Sequence, residues 1–282
     1  MDLHDHGLAS DLEMMRQQAF ERRQVLRWLL AGAATLPLMS CGGGTAASGG
    51  VTGTSGGAGS VTIPTAGACT VIPEETGGPY PADGTNTNGG SIINVLNQSG
   101  VVRSDIRASF NGATGVAAGV PLTINLQLLN ASGGCASLAG YAVYLWHCDR
   151  DGLYSLYSSG VTAQNYLRGV QETDSAGKLA FTTIFPGCYA GRMPHVHFEV
   201  YPSLAKAASA VNRIKTSQFT FPMATLNEVY TASGYTASVR NLAQISYATD
   251  NVFADGTSLQ MATVTGNATD GYVVTLTVAV NG

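Results

Sequence analysis

The chain has 282 residues, with 14 Lys and Arg against 18 Asp and Glu, a net charge of −4, and 45% hydrophobic residues. This mildly acidic balance, without a basic stripe, argues against a nucleic-acid partner. The stretch that follows the leading segments is long enough to bury a real core.

The first forty residues read as an address. Glu21-Arg22-Arg23-Gln24-Val25-Leu26-Arg27 carries paired arginines, and the run from Trp28 to Leu38 is apolar. That run is too short for a spanning helix, which needs about twenty residues. A charged region, an apolar region and a small-residue processing site together predict a bacterial export signal over residues 1–41. The adjacent arginines suggest the twin-arginine route. Leu38-Met39-Ser40-Cys41 resembles a lipoprotein box, which would leave a lipidated Cys41 at the mature N-terminus as the one link to a membrane. The predicted location is therefore outside the bacterial cytoplasm, periplasmic or membrane-anchored. Residues 42–66 are Gly, Ser, Thr and Ala with almost no large apolar side chains, so they read as a flexible tether.

Residues 67–282 have the length of one all-β domain. Its cysteines are Cys69, Cys135, Cys148 and Cys188. In an oxidising compartment these allow one or two disulfides, with three complete pairings, and their spacing fits no common zinc pattern. A bridge at Cys188 would hold the loop that carries Tyr189. Leu122, Ile124, Leu126 and Leu128 alternate with Thr123, Asn125 and Gln127, the pattern of a half-buried strand. Tyr141 to Trp146 is apolar on both faces and reads as a central strand. Asp174-Ser175-Ala176-Gly177 is turn chemistry, followed by an extended Lys178 to Phe185 and the loop Pro186-Gly187. His195 to Tyr201, Ser217 to Phe221 and Tyr272 to Val280 are further strands. Leu204 to Val211 suits one short helix, and Met223 to Asp255 suits long loops. Many short strands with Gly-rich turns predict a two-sheet β-sandwich with at most short helices.

The chemistry concentrates in residues 185–201, FPGCYAGRMPHVHFEVY. Side chains alternate along a strand, so His195 and His197 share one face while Val196, Phe198 and Val200 take the other. Two imidazoles on one strand face can reach one metal ion. Once the leading segment is removed, the only other histidine is His147. Upstream, Trp146-His147-Cys148-Asp149-Arg150-Asp151-Gly152-Leu153-Tyr154-Ser155 leaves a strand through an Asp-Gly turn. Periodicity alone leaves Tyr154, Tyr157 and Tyr166 all open as site residues.

WHCDRDGLYS followed by LRGVQETDSAGKLAFTTIFPGCYAGRMPHVHFEVY resembles the intradiol ring-cleavage dioxygenases. These share a G-x-Y-S segment, a T-D-x-x-G turn, a P-x-x-Y and an R-x-x-H-x-H. The resemblance covers about 140–221, and Pro73-Glu74-Glu75-Thr76-Gly77-Gly78-Pro79-Tyr80 is similar to the family's entry segment. The chain looks most like the exported, single-domain branch, without the N-terminal helical segment of the cytoplasmic catechol dioxygenases. The resemblance implies a mononuclear non-haem ferric ion held by Tyr154, Tyr189, His195 and His197. It also implies that Tyr189 takes up a substrate proton, that Arg192 stabilises negative charge on the ring and that Gln218 lies beside it. The implied reaction inserts both atoms of O₂ into a catechol-type aromatic and cleaves the bond between the two hydroxyl-bearing carbons, giving a cis,cis-muconate type product. Phenolate is a hard anionic donor suited to ferric iron. A tyrosine titrates near pH ~10, so only coordination makes it anionic at neutral pH. Met193-Pro194 between the arginine and the first histidine departs from the family's commoner Pro-x, and Cys188 directly precedes the ligand tyrosine. His147 reads as a buried structural or supporting histidine.

Two other readings compete. His195, His197 and Glu199 alternate on one strand face and would make a two-histidine, one-carboxylate site for Fe(II) or zinc. An exported β-sandwich could also be a non-catalytic module that captures iron or a phenolic compound.

Overall fold

The computed structural model describes residues 69–282; the export signal expected over 1–41 and the tether expected over 42–66 lie outside the described residues. In chain order the strands are β1 (Asp83–Asn88), β2 (Ser91–Asn94), β3 (Pro121–Asn130), β4 (Ala136–Ser137), β5 (Ala142–Trp146), β6 (Arg168–Glu172), β7 (Lys178–Ile184), β8 (His195–Tyr201), β9 (Lys215–Thr220), β10 (Thr263–Asn267) and β11 (Gly271–Val280). Two short helices, α1 (Met223–Val229) and α2 (Thr236–Leu242), fall between β9 and β10.

Two sheets make the sandwich. One runs β10–β11–β3–β7, with β4 also on β3, and its β11–β3 pair is parallel, setting Tyr272 opposite Leu122 and Val280 opposite Asn130. The other runs β6–β5–β8–β9 and is antiparallel throughout. β1 and β2 form a separate hairpin. The alternation in β3 does what its pattern predicts: Leu122, Ile124, Leu126 and Leu128 are buried while Thr123, Asn125 and Gln127 are half-buried. They share one core with Phe181, Val274, Leu276 and Val278 of their own sheet and with Val143, Leu145, Val196, Phe198, Val200 and Phe219 of the facing sheet. Burying each such side chain contributes about 1.5–3 kcal/mol.

The second sheet is dry on its other face as well, and this face positions the site. Every residue of β5 and β8 is buried. Ala142, Tyr144, Trp146 and Tyr201 pack there against Ala82, Val95, Leu96, Val101 and Tyr154. The chain before β3 therefore lies over the face that carries the two histidines.

Three expectations need correction. Leu204 to Val211 is not one helix but two three-residue 3-10 turns, Lys206–Ala208 and Ala210–Asn212. Extended Ser209, at φ −150° and ψ 129°, breaks the run, and no side chain caps either turn. Met223 to Asp255 is not all loop, because α1 and α2 lie within it. Each has only seven residues, too few to show a periodicity, and they are held by burying Leu226, Val229 and Leu242 in the core. Finally, Cys188 forms no bridge. The disulfide joins Cys69 to Cys135, whereas Cys148 and Cys188 are free and buried. Their thiols turn to main-chain oxygens instead, Cys148 Sγ to Gly187 O at 3.5 Å and Cys188 Sγ to Arg192 O at 3.5 Å.

Candidate metal centre

Two loops and one strand converge beneath the entry segment. The first loop leaves β5 at His147. Asp149 Oδ1 accepts hydrogen bonds from the Asp151 and Leu153 amides at 3.0 and 2.9 Å, which closes the turn ahead of Tyr154. Arg168 then pins the far side, donating from Nη2 to Ser155 O at 3.0 Å and from Nε to Ser155 Oγ at 3.1 Å. The second loop leaves β7 at Phe185. Helix α2 holds it: the Cys188 amide donates to Ser238 Oγ at 2.9 Å, and Asn241 Nδ2 donates to Cys188 O at 2.7 Å. The loops meet at Gly152, whose φ is +85°; a Cβ there would lie 2.9 Å from Tyr189 Cβ. Only glycine satisfies both demands.

Four donor atoms meet at this junction. Tyr154 Oη lies 3.4 Å from His195 Nε2, Tyr189 Oη lies 3.3 Å from the same atom, and the two Nε2 atoms of His195 and His197 are 3.0 Å apart. Of the three tyrosines left open by periodicity, Tyr154 alone reaches them. Tyr157 donates to Asn86 Oδ1 at 2.6 Å, and Tyr166 donates to Asp149 Oδ2 at 3.0 Å.

The site fits a metal cation on two grounds. Ligands about 2.1 Å from one ion, at angles between right-angled and tetrahedral, lie roughly 3.0–3.4 Å apart, and the other three donors lie at such distances from His195 Nε2. The second ground is proton placement. His195 Nδ1 lies 2.6 Å from Met193 O, so that nitrogen carries the proton and Nε2 turns a lone pair toward the junction. His197 Nε2 faces it, and His197 Nδ1 makes no hydrogen bond of normal geometry. A junction rich in lone pairs is what a cation would satisfy.

Electrostatics agree. Burial first, and then the Arg192 charge, push both His195 and His197 well below the ordinary imidazole range, so each is neutral. Burial, reinforced by Tyr189, holds the Tyr154 phenol well above its ordinary value. Neutral imidazoles are ready ligands, and the phenol needs a metal to ionise it. The His197 ring stacks on Trp146 at 4.9 Å and 4°, and Gly78 of the entry segment comes close to it, where a Cβ would stand 3.5 Å from His197 Cε1. Tyr80 packs on Tyr154 with ring centres 4.9 Å apart.

Arg192 and Gln218 adjoin the junction as a bonded pair. Arg192 Nη2 donates to Gln218 Oε1 at 2.7 Å, and Gln218 Nε2 donates to Thr76 O of the entry segment at 2.8 Å. Gln218 sits directly across from His197 in the β8–β9 register. Arg192 is buried and its Nε donates to Asp250 Oδ2 at 3.0 Å. Burial works against its charge, but Tyr189 and Asp250 outweigh that and raise it further.

Glu199 shares the strand face but not the junction. Tyr201 donates to its Oε2 at 2.6 Å and Arg213 lies 3.5 Å from its Oε1. Burial, reinforced by Asp83, pushes its carboxyl up to about 8. No group of three His, Cys, Asp or Glu among the described residues is arranged to hold a metal, so the two-histidine, one-carboxylate reading is not supported. His147 also stands apart, with Nδ1 2.7 Å from Cys148 O and Nε2 2.7 Å from Thr183 Oγ1. It bridges the two sheets as a buried structural histidine.

The sequence did not single out Asp250 or the clamp made by Arg168. Asp250 lies in the stretch without readable periodicity. Arg168 resembles any arginine opening a strand, yet it is buried and also donates to Tyr80 O at 2.9 Å and Pro81 O at 3.1 Å.

Comparison with known proteins gives a consistent picture. Residues 100–222 match the family model described as Dioxygenase. Among solved structures, the chain is similar to an intradiol ring-cleavage dioxygenase from Tetranychus urticae, with 23% identity over 76% of this chain and 95% of that one, at a TM-score of 0.57. It is also similar to the dioxygenase domain of a dioxygenase carbohydrate-binding protein fusion from Streptomyces sp. SirexAA-E, with 22% identity over 75% and 99% of the two chains and a TM-score of 0.46. A chlorocatechol 1,2-dioxygenase from Pseudomonas putida matches at 20% identity over 64% and 65%, with a TM-score of 0.42. At 23% identity the likeness to the Tetranychus urticae structure is one of fold.

Proposed function

We propose that the chain is an intradiol ring-cleavage dioxygenase, a reading supported by the match of residues 100–222 to the Dioxygenase family model, and that it inserts both atoms of O₂ into a catechol-type aromatic through a mononuclear non-haem ferric ion held by Tyr154, Tyr189, His195 and His197. The observation that carries this reading is the convergence of two phenol oxygens and the His197 Nε2 on His195 Nε2 at 3.0–3.4 Å. Ferric iron, when bound, supplies the Lewis acidity that draws electron density from a catecholate and makes its ring reactive to O₂.

The protein's own groups do the rest. His195 and His197 arrive neutral, so they bind without first losing a proton. Tyr154 is buried and Tyr189 is half-buried, which suits Tyr154 to a fixed role and Tyr189 to a mobile one. In this reading Tyr189 Oη takes a proton from a substrate hydroxyl, and the substrate enters as its anion. The Arg192 guanidinium stands where negative charge builds on the ring, a type of stabilisation worth about 3 kcal/mol for one donor. Gln218 holds Arg192 and the entry segment in register. The product is the ring-opened cis,cis-muconate type diacid.

Export from the cytoplasm forms part of the proposal. It rests on the leading sequence pattern and is supported by the Cys69–Cys135 disulfide, which suits an oxidising compartment.

The test uses purified, iron-loaded protein with catechol, protocatechuate and hydroxyquinol under O₂, following O₂ uptake and the ring-opened product. At least one substrate opens, and the protein is red-brown from tyrosinate charge transfer. Tyr189→Phe weakens and shifts that band, whereas Glu199→Gln leaves it in place. Ring opening with none of the three, despite bound ferric iron, would sink the proposal.

A further inference from the structure

We propose that Asp250 is a positioning residue for the ring-cleavage reaction, acting through Arg192. This rests on the function proposed above. Asp250 is fully buried, and both of its carboxylate oxygens are engaged by donors. Oδ2 accepts from Arg192 Nε at 3.0 Å and from the Met193 amide at 2.6 Å. Oδ1 accepts from the amides of Val252 at 2.8 Å and Phe253 at 3.1 Å.

One carboxylate therefore grips Arg192 twice, by its side chain and by the main chain of the next residue. The Gln218 contact fixes a second guanidinium nitrogen at 2.7 Å. A planar group held at two nitrogens cannot rotate, and its direction is set before substrate arrives. Such preorganisation is what makes a positive group effective at a developing charge. The Phe253 ring, 5.9 Å from Arg192 Cζ, belongs to the same turn that Asp250 caps, so the carboxylate also orders a wall beside the guanidinium. A buried cation without this partner would be strongly penalised.

The position demands a carboxylate rather than a residue of similar shape. Asparagine has one accepting oxygen and an NH₂ group. Whichever way its amide turns, the NH₂ faces two donors: Arg192 Nε and Met193 N on one side, or the Val252 and Phe253 amides on the other. Asp250→Asn thus keeps the volume and loses the grip.

The experiment compares wild type, Asp250→Asn, Arg192→Gln and the double variant, each as the full iron-loaded chain. The readouts are kcat, KM, iron content, the charge-transfer band and 4-nitrocatechol affinity by calorimetry. Asp250→Asn is expected to lower kcat at least tenfold with KM changed less than threefold, while iron content and the band stay as in wild type. In the Arg192→Gln background the same change should alter kcat less than twofold, because the residue it positions is gone. Asp250→Asn within twofold of wild type would overturn the proposal, and so would losses that multiply in the double variant. Should Asp250→Asn fail to fold alone, Arg192→Gln is compared with the double variant, in which neither charge is buried unpaired: equal kcat supports the proposal, and a further tenfold loss overturns it. If wild type opens no catechol, the function proposed above fails and the role of Asp250 in ring cleavage falls with it; if wild type opens one and Asp250→Asn matches it, only the role of Asp250 fails.

Discussion

Three histidines in residues 69–282 meet three different fates, set by what surrounds each ring. His195 is fixed by a main-chain carbonyl and turns a lone pair inward; His197 stacks on Trp146 with Gly78 of the entry segment close by; His147 is closed off between Cys148 O and Thr183 Oγ1. Burial depresses His147 from its ordinary 6.5 to about 4. The unfolded chain takes up a proton here as pH falls below about 6.5, while the folded chain resists until about 4. Stability is therefore undiminished above 6.5, is lost progressively as pH falls toward 4, and loses nothing more to this group below that. The loss approaches about 3 kcal/mol at roughly 1.36 kcal/mol per unit. Urea unfolding at a series of pH values checks it: the difference between wild type and His147→Gln narrows across this window. A constant difference would show that His147 is not held neutral. The sequence already marked this histidine as structural, but nothing in it named Thr183 as the partner, since that contact crosses from one sheet to the other.

At the scale of elements, the site depends on two loops that touch at a glycine. β5 and β7 belong to different sheets, so the loops leaving them face each other across one end of the sandwich. Gly152 lets them close. Gly152→Ala forces a side chain into the left-handed region, at a cost of about 1–2 kcal/mol, and drives its Cβ against Tyr189 Cβ at 2.9 Å. The expected outcome is loss of bound iron and of kcat well beyond what the drop in Tm would produce, because the displaced group is a donor to the junction. Iron per chain, measured after loading, checks this; wild-type iron content would show that the contact relaxes without moving Tyr189. The Asp-Gly turn was legible in the sequence. Its contact with Tyr189 was not, because the two positions lie far apart along the chain. Helix α2 teaches the same lesson. Its seven residues carry no readable period, yet Ser238 and Asn241 clamp the main chain of Cys188, next to Tyr189.

At the scale of the whole molecule, the Cys69–Cys135 disulfide ties the start of the described chain to the β3–β4 corner across a separation of 66 residues. Closing a loop of this length removes unfolded-state entropy worth about 4 kcal/mol. The paired change Cys69→Ser and Cys135→Ser should lower Tm substantially and leave kcat near wild type at temperatures where the protein remains folded, because the bridge contributes no atom to the junction. Thermal unfolding and O₂ uptake check both halves; a collapse of kcat at full folding would show that the bridge shapes the site.

Alternation and turn chemistry in the sequence marked the sandwich and the faces of β3, β5 and β8, and the family resemblance pointed to Tyr154, Tyr189, Arg192, His195, His197 and Gln218 as candidates. Local alternation sets which side chains share a face, and the motif spacing behind the resemblance singles out candidates for the proposed chemistry. Tertiary structure alone showed that Tyr157 and Tyr166 bond away from the histidines, which cysteines pair, and that Glu199 turns to Tyr201 and Arg213. It alone brought Asp250 to Arg192. Each of these depends on the packing of segments distant in the chain, where burial and hydrogen-bond satisfaction select one partner among several that composition and spacing leave equivalent.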